Sequence, residues 1–477
     1  MKRQVRDGLF LCLLAFAIVL PVLAEPIRFV TVDPGHFHAA LVQKWGYPDV
    51  TNEVRVFAPA GAELEAHLSL IADFNSRKDN PTDWREVVYR GADYRTAFSR
   101  YLRGLPNPRR AVVVLAGRND LKADYILAAV EAGANVLADK PLAISPEGFV
   151  KLEKAVAVAR EKRLALIDLM TDRADIHIRL ADALMREKEL FGELQRGTPE
   201  NPSVISRSLH HFVKKVNGAP LRRPAWYYDV SRQGEGIVDV TTHIVDGLQR
   251  SVCPGETLSD ADVRIVQSRT WDTEITAADF FESTGLGDWP DFLRKDVGSD
   301  NVLRCRANGE FAYWLKGVCV SVAVTWKVRD ETGNGDDSYA AFNGTKCRLE
   351  IAADRNRGGE TALFVRAQER TKPDALKDPL LRAMAKVDSL VPGLKAVSVS
   401  DGWRVDVPPE AVVEHDPSFY AFTRTFLDWV NRGDEPMFEY ANLLVKYQTL
   451  TEAQKRAHAE CDILKTDKWE SQSKSQK

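Results

Sequence analysis

Residues 111 to 116 (Ala-Val-Val-Val-Leu-Ala) form an unbroken apolar run, the pattern of a strand covered on both faces. Apolar positions then recur at helical spacing from Leu121 to Ala132, and Gly133 supplies a C-cap. Val136 to Ala138 is apolar again and runs into Asp139, Lys140 and Pro141. Strand, helix, strand predicts a unit with parallel strands, whose ligands gather beyond the carboxyl ends. Lys140 stands at such an end. A lysine beside apolar walls can hold a substrate hydroxyl or share in proton transfer, because desolvation lowers its pKa toward neutrality.

The same pattern opens the chain. Ile27 to Val32 reads as a strand, Asp33-Pro34-Gly35-His36-Phe37-His38 as a tight turn and Ala39 to Gln43 as a helix. A dinucleotide-binding fold places its glycine loop here, so that backbone N–H groups and a helix N-terminus meet a pyrophosphate. Gly35 matches the middle glycine of G-x-G-x-x-G, while Asp33 and His38 replace the first and third. Glu53 to Ala58 is the second strand, with no acidic residue at its end to hold a ribose hydroxyl. Glu86 to Tyr89 reads as a further strand, Pro146 to Lys162 as an amphipathic helix, and Leu164 to Leu169 as the closing strand.

Beyond a helix predicted over Arg173 to Lys188, the period changes from helical to two. Val204 to Val213 alternates and carries His210 and His211, which must face opposite sides of a sheet; His211 is assigned to the substrate side. Strands are predicted over Val263–Thr270, Asn301–Arg306, Phe311–Leu315, Val318–Val328, Cys347–Ile351 and Thr361–Arg366, with turns at Gly309, Gly317 and Gly344. Asp272 to Trp289 and Ala375 to Trp403 read as loops able to line a pocket. Ile237 to Leu248 reads as a helix that projects Asp239, His243 and Asp246 from one face. A carboxylate and an imidazole on one face make a candidate proton-transfer pair. Trp226 and Asp246 join His211 as candidate substrate contacts. Helices over Pro417–Asn431 and Tyr440–His458 close the fold, and no internal repeat is visible.

A chain of 477 residues with 44% hydrophobic and 28% charged positions is globular and divides into two or three domains. The net charge of −3, with signs mixed throughout, offers no basic face for nucleic acid and no polybasic membrane tether. Residues 1–24 carry Lys2, Arg3 and Arg6, then an apolar run from Leu9 to Leu20, then Ala24. This is the pattern of a secretory signal peptide cut after Ala24, and it predicts a secreted or periplasmic protein. Of six cysteines, Cys12 leaves with the signal. Cys305 and Cys319 fall on neighbouring predicted strands and could pair, although buried thiols are the simpler state. No C-x-x-C pair occurs, and His36, His38 and His210 or His211 lack an acidic ligand set, so no metal is expected.

With these stretches placed, the chain resembles the glucose-fructose oxidoreductase and inositol dehydrogenase family over nearly all of residues 25–464. Residues 117–123 (Gly-Arg-Asn-Asp-Leu-Lys-Ala) look like its cofactor loop, keeping Asn119 and placing Lys122 where histidine is common. Residues 131–141 look like its Glu-Lys-Pro segment, with Asp139 for the glutamate. Gly234, Gly236, Asp239 and His243 look like its D-x-x-x-H helix, and residues 343–350 are similar to its C-terminal sheet segment. The resemblance implies an α/β fold followed by an α+β one: a Rossmann domain over 25–165 and a C-terminal, open, mainly antiparallel sheet domain over 166–464. A disordered tail would span 465–477.

It further implies NAD or NADP, contacted by Gly35, His36, Phe37, His38, Asn119, Asp139 and Lys140; export, where free dinucleotide is scarce, predicts that the cofactor is tightly bound. His243 would be general acid or base, Asp239 would position it or the substrate, and Lys140 would touch cofactor and substrate hydroxyl. The implied activity is oxidation of a hydroxyl on a sugar, glycoside or polyol. NAD-dependent glycoside cleavage and a sugar-binding protein without catalysis are the alternatives. The C-terminal sheet is expected to build a homo-oligomer.

Overall fold

The computed structural model describes residues 25–216, 219–331, 333, 335–368, 371–413, 415–433 and 437–474. The signal peptide expected over residues 1–24 lies outside the described residues. Six parallel strands form the first sheet: β1 (Arg28–Val32), β2 (Glu53–Ala58), β3 (Arg85–Arg90), β4 (Ala111–Leu115), β5 (Asn135–Asp139) and β6 (Leu166–Leu169). Their order is β3-β2-β1-β4-β5-β6, so the winding direction reverses between β1 and β4. A crevice opens there at the carboxyl ends. The continuous apolar runs follow from two-sided burial. Val113 and Leu115 pack in one core, whereas Val112 and Val114 pack with Phe29, Val54 and Leu137 in the other. Gly133 takes φ 91° to end the helix Lys122–Ala132, as its position predicts. β6 belongs to this sheet, so the first unit runs past residue 165.

The second sheet has nine strands, ordered 263–276, 302–315, 318–329, 204–213, 337–343, 347–354, 360–367, 402–406 and 395–399. Val204–Val213 (β7) runs parallel to 318–329, and the other neighbours are antiparallel. The expected fold class is the observed one.

Several local expectations change. Gly309 is not a turn but the middle of one strand, Val302–Leu315. A Cβ on Gly309 would lie 2.3 Å from Ile237 Cγ1, and one on Gly236 would lie 2.0 Å from Ala307 O. These glycines let the segment ahead of helix Thr241–Val252 lie directly on the sheet. Gly317, at φ 82°, does make the hairpin turn. The two supposed loops contain helix Ala277–Thr284, helix Lys377–Val387, the strand Lys395–Val399 and the start of the strand Gly402–Asp406. Thr276 and Asp279 form a capping box that starts the first of these helices. Cys253, Cys305, Cys319 and Cys347 are buried free thiols. Cys319 pairs with Trp314, so Cys305 lies roughly 30 Å along the strand and cannot bridge to it.

The C-terminal segments return to the first unit. Phe419, Phe426 and Leu427 of helix His415–Arg432 complete the core that holds Phe29 and Val112. The last helix runs from Met437 to Lys474, so most of the expected tail continues it. Leu, Ala, Lys, Glu and Gln recur along the helix as a whole and favour it.

Candidate active site

The loop after β1 is clamped to its neighbours before any ligand is considered. Asp33 N–H donates to Phe57 O (2.9 Å), Gly35 N–H to Asp33 O (2.8 Å) and His36 N–H to Ala116 O (3.1 Å). Gly117 permits this closeness, because a Cβ there would sit 2.0 Å from Asp33 O. The Gly35 and His36 amides therefore point into the protein. Asp33 is turned toward Tyr94 and Tyr125, whose hydroxyls lie 3.3 and 3.5 Å from its Oδ2. Burial pushes the Asp33 carboxyl up, with Arg118 opposing, which softens the negative charge beside the loop.

His36, Phe37 and His38 face a cavity of about 680 Å³ together with Asp139, Lys140 and His243. Both Nδ1 atoms approach one oxygen, Asp139 Oδ2, at 3.4 Å for His36 and 3.0 Å for His38. The carboxylate that the histidines lacked in sequence is thus supplied by the end of β5.

Lys140 reaches across the crevice to the other unit. Its Nζ donates to Asp239 Oδ1 at 2.8 Å, and Gln233 Nε2 donates to Asp239 Oδ2 at 3.0 Å. Burial alone would lower the lysine pKa, but the Asp239 and Asp139 charges outweigh it and the pKa is raised. The expected drift toward neutrality does not occur at this lysine. For Asp239 burial acts upward, yet Lys140 wins and holds the carboxyl below its ordinary range. Beneath them Lys122, 1% exposed, donates to Asn119 Oδ1 (2.6 Å) and Asp139 O (2.7 Å). Burial lowers its pKa to about 8. Asn119 in turn donates to Gln233 O through Nδ2 (2.6 Å) and to Arg232 O through its amide (2.9 Å). The Asn119 side chain, expected at the cofactor, braces the two units. Lys122 was visible only as a lysine replacing a common histidine.

The three residues expected on one helical face separate. Asp239 precedes helix Thr241–Val252 and meets Lys140. His243 faces the cavity, its Nδ1 3.4 Å from Asp172 Oδ2. Asp246 turns inward, taking two 2.8 Å bonds from Arg173 and one of 2.8 Å from Lys446. It is part of the buried frame and not free for substrate, because its acceptor sites are filled by cations. His211 is likewise corrected: it is buried, and His210 lines the cavity, stacked on Trp326 with ring centroids 4.9 Å apart. Period two fixed their opposition but not its phase. Trp226 lies over Gly35, 3.2 Å from where a Cβ would be. It separates the main cavity from a second one of about 260 Å³, lined by Asp33–Gly35, Ala58–Gly61, Arg118 and Arg232.

A doubly wound parallel sheet, an open antiparallel sheet and a lysine–carboxylate pair with a nearby imidazole in the crevice between them define a two-unit oxidoreductase architecture. The chain belongs to the family described as "putative oxidoreductase C terminal domain", whose model matches residues 180–458. A crystal structure from Parabacteroides merdae ATCC 43184, bearing the same general description, is 39% identical with a TM-score of 0.87 over 91% of this chain and 98% of that one. Levoglucosan dehydrogenase of Pseudarthrobacter phenanthrenivorans is 24% identical over 194 residues; the match spans 40% of this chain and 40% of that enzyme. A solved levoglucosan dehydrogenase complex with NADH and levoglucosan shares the fold at TM-score 0.55 and 14% identity, over 91% of this chain and 98% of that one. The family expectation drawn from the four motifs holds.

Proposed function

We propose that this protein transfers hydride between a secondary alcohol of a sugar, glycoside or polyol and a nicotinamide dinucleotide held in the crevice. The observation that carries this reading is the Lys140–Asp239 bond across the crevice, beside His243, in a cavity walled by Trp226, Tyr227 and Trp326. Aromatic walls with a few charged groups suit a polar ligand that has apolar faces.

Two adjoining cavities offer room for the cofactor. A dinucleotide needs an extended groove, and the two cavities adjoin at Trp226, with Arg118 and Arg232 in the smaller one beside Asp33 and Glu63. Those arginines would hold its phosphates, since the Gly35 and His36 amides are engaged. The bound nicotinamide would accept the hydride from the carbinol carbon. Lys140, kept charged by Asp239, donates a hydrogen bond to the substrate hydroxyl oxygen and stabilises negative charge developing there. His243 takes the hydroxyl proton on Nε2, because Nδ1 is turned to Asp172. Asp239 fixes the lysine. The NADH and levoglucosan named in the solved complex support this substrate and cofactor class. Export is proposed with it, resting on the leader pattern of residues 1–24.

Mass spectrometry of small molecules released from the heat-denatured protein tests the cofactor, and nicotinamide absorbance on adding sugars tests the reaction. Released or bindable NAD(P), and a Lys140→Met variant slowed on the order of 10²-fold or more, are expected. Absence of dinucleotide binding at millimolar concentration would overturn the reading. Glycoside cleavage without net cofactor change would assign the same residues to the redox-neutral route.

A further inference from the structure

We propose that His36, His38 and Asp139 form a site for one divalent transition-metal ion, with a remaining coordination position open to the crevice. The two Nδ1 atoms lie 3.4 and 3.0 Å from Asp139 Oδ2, and one ligand atom from each residue falls within 4.8 Å of the others. Metal–ligand bonds of about 2.0–2.1 Å in tetrahedral geometry place neighbouring ligands about 3.3 Å apart, so two of the three edges already match. Hydrogen bonding accounts for His38 but not for His36. His36 Nδ1 is buried and, despite its approach to the carboxylate, makes no hydrogen bond. A lone pair aimed at a shared point beside Asp139 Oδ2 explains that arrangement.

Two imidazoles and one carboxylate suit zinc, cobalt, manganese or iron better than magnesium or calcium, which prefer oxygen. The supporting groups are also present. Lys122 Nζ holds the Asp139 carbonyl at 2.7 Å, fixing the strand end that presents the carboxylate. The His38 ring packs against Phe419 with centroids 4.6 Å apart. The other histidine cluster differs. Asp336 bonds His210 and, through the same oxygen, the Lys214 ammonium, which stands where a metal would have to be.

Cobalt(II) and zinc(II) titration of chelator-treated, full-length protein tests the site by the visible absorption of bound cobalt and by calorimetry. One Co²⁺ per chain, displaced by Zn²⁺, is expected, with affinity reduced at least about tenfold in both His36→Gln and Asp139→Asn. Thermal melting of each variant verifies that it is folded, and His38→Gln provides a third reading if either is not. No cobalt bands, equal affinity in the variants, or loss of binding in His210→Gln would each overturn the site. Dinucleotide release is measured separately, so failure here leaves the proposed reaction standing.

Discussion

Replacing Asp246 by alanine removes a carboxylate that joins three elements. Its oxygens take two bonds from Arg173 and one from Lys446, each 2.8 Å. Lys446, 1% exposed, also bonds Asp168 at 2.8 Å, and Asp168 accepts from Tyr447 OH at 2.7 Å. Arg173 reaches Glu439 at 3.3 Å. The last helix is thereby fastened both to the end of β6 and to the helix that carries His243. Alanine leaves Arg173 and Lys446 with three cationic bonds unmet in a buried setting. Breaking a buried pair from one side costs about 3–5 kcal/mol, against roughly 5–15 kcal/mol for a whole domain. At about 2–4 °C per kcal/mol the apparent melting temperature should fall by roughly 6–20 °C. Arg173→Met combined with Asp246→Leu should recover part of that loss, since the guanidinium is removed with its partner while Lys446 keeps Asp168 and Glu439 keeps Arg250. Differential scanning fluorimetry reads the shift, and calorimetry well below the transition reads ligand affinity. The Arg173 and Lys446 charges overcome burial and hold the Asp246 carboxyl far below its ordinary range. Its contribution is therefore present above the unfolded value near 3.8 and disappears as pH falls below that. A shift under about 2 °C together with a large loss of sugar or dinucleotide affinity would refute the structural role and return Asp246 to the substrate.

Two further outcomes follow from burial. Glu86 bonds Gln43 at 2.7 Å through one oxygen while the other is buried unpaired, and burial pushes its pKa up to about 7 from 4.5. A raised carboxyl costs nothing below pH 4.5, progressively more up to 7 and a constant amount above. Glu86→Gln should thus match the parent at pH 4 and exceed it at pH 8 by at most about 3 kcal/mol, measured by urea unfolding. Gly309→Ala must displace Ile237 from a 2.3 Å approach, so a loss of about 1–3 kcal/mol is expected by the same measurement, with a shift of the segment bearing Asp239.

The Rossmann unit was legible because two-sided burial writes itself as continuous apolar runs, and because Gly133 marks a helix end by conformation. Lys140 was legible for a related reason: a charge that ends an apolar strand has few structural uses. Pairings between distant segments were not. Asp139 lies 101 residues from His38, and no local period relates them. Helical spacing placed Asp239, His243 and Asp246 together but could not say what each meets; the observed partners, Lys140, Gln233, Asp172, Arg173 and Lys446, come from four other stretches of the chain. Gly309 misled because glycine marks turns and close packing alike, and only Ile237 distinguishes the two.

Two lysines near Asp139 show what decides the chemistry of this crevice. Lys122 is buried and Lys140 largely so, yet their pKa values move in opposite directions. Lys122 meets only neutral acceptors, the Asn119 amide oxygen and the Asp139 carbonyl, so desolvation prevails and its pKa falls to about 8. Lys140 touches the Asp239 carboxylate, and attraction at 2.8 Å in a poorly screened site exceeds the desolvation cost. Contact with a counter-charge, and not depth, sets the sign. A lysine whose proton is held more firmly than in water is a poor general base at neutral pH but a good fixed donor. Proton acceptance then falls to another group, and His243, its ring in the same cavity with Asp172 near Nδ1 and Nε2 left for substrate, is placed to take that part.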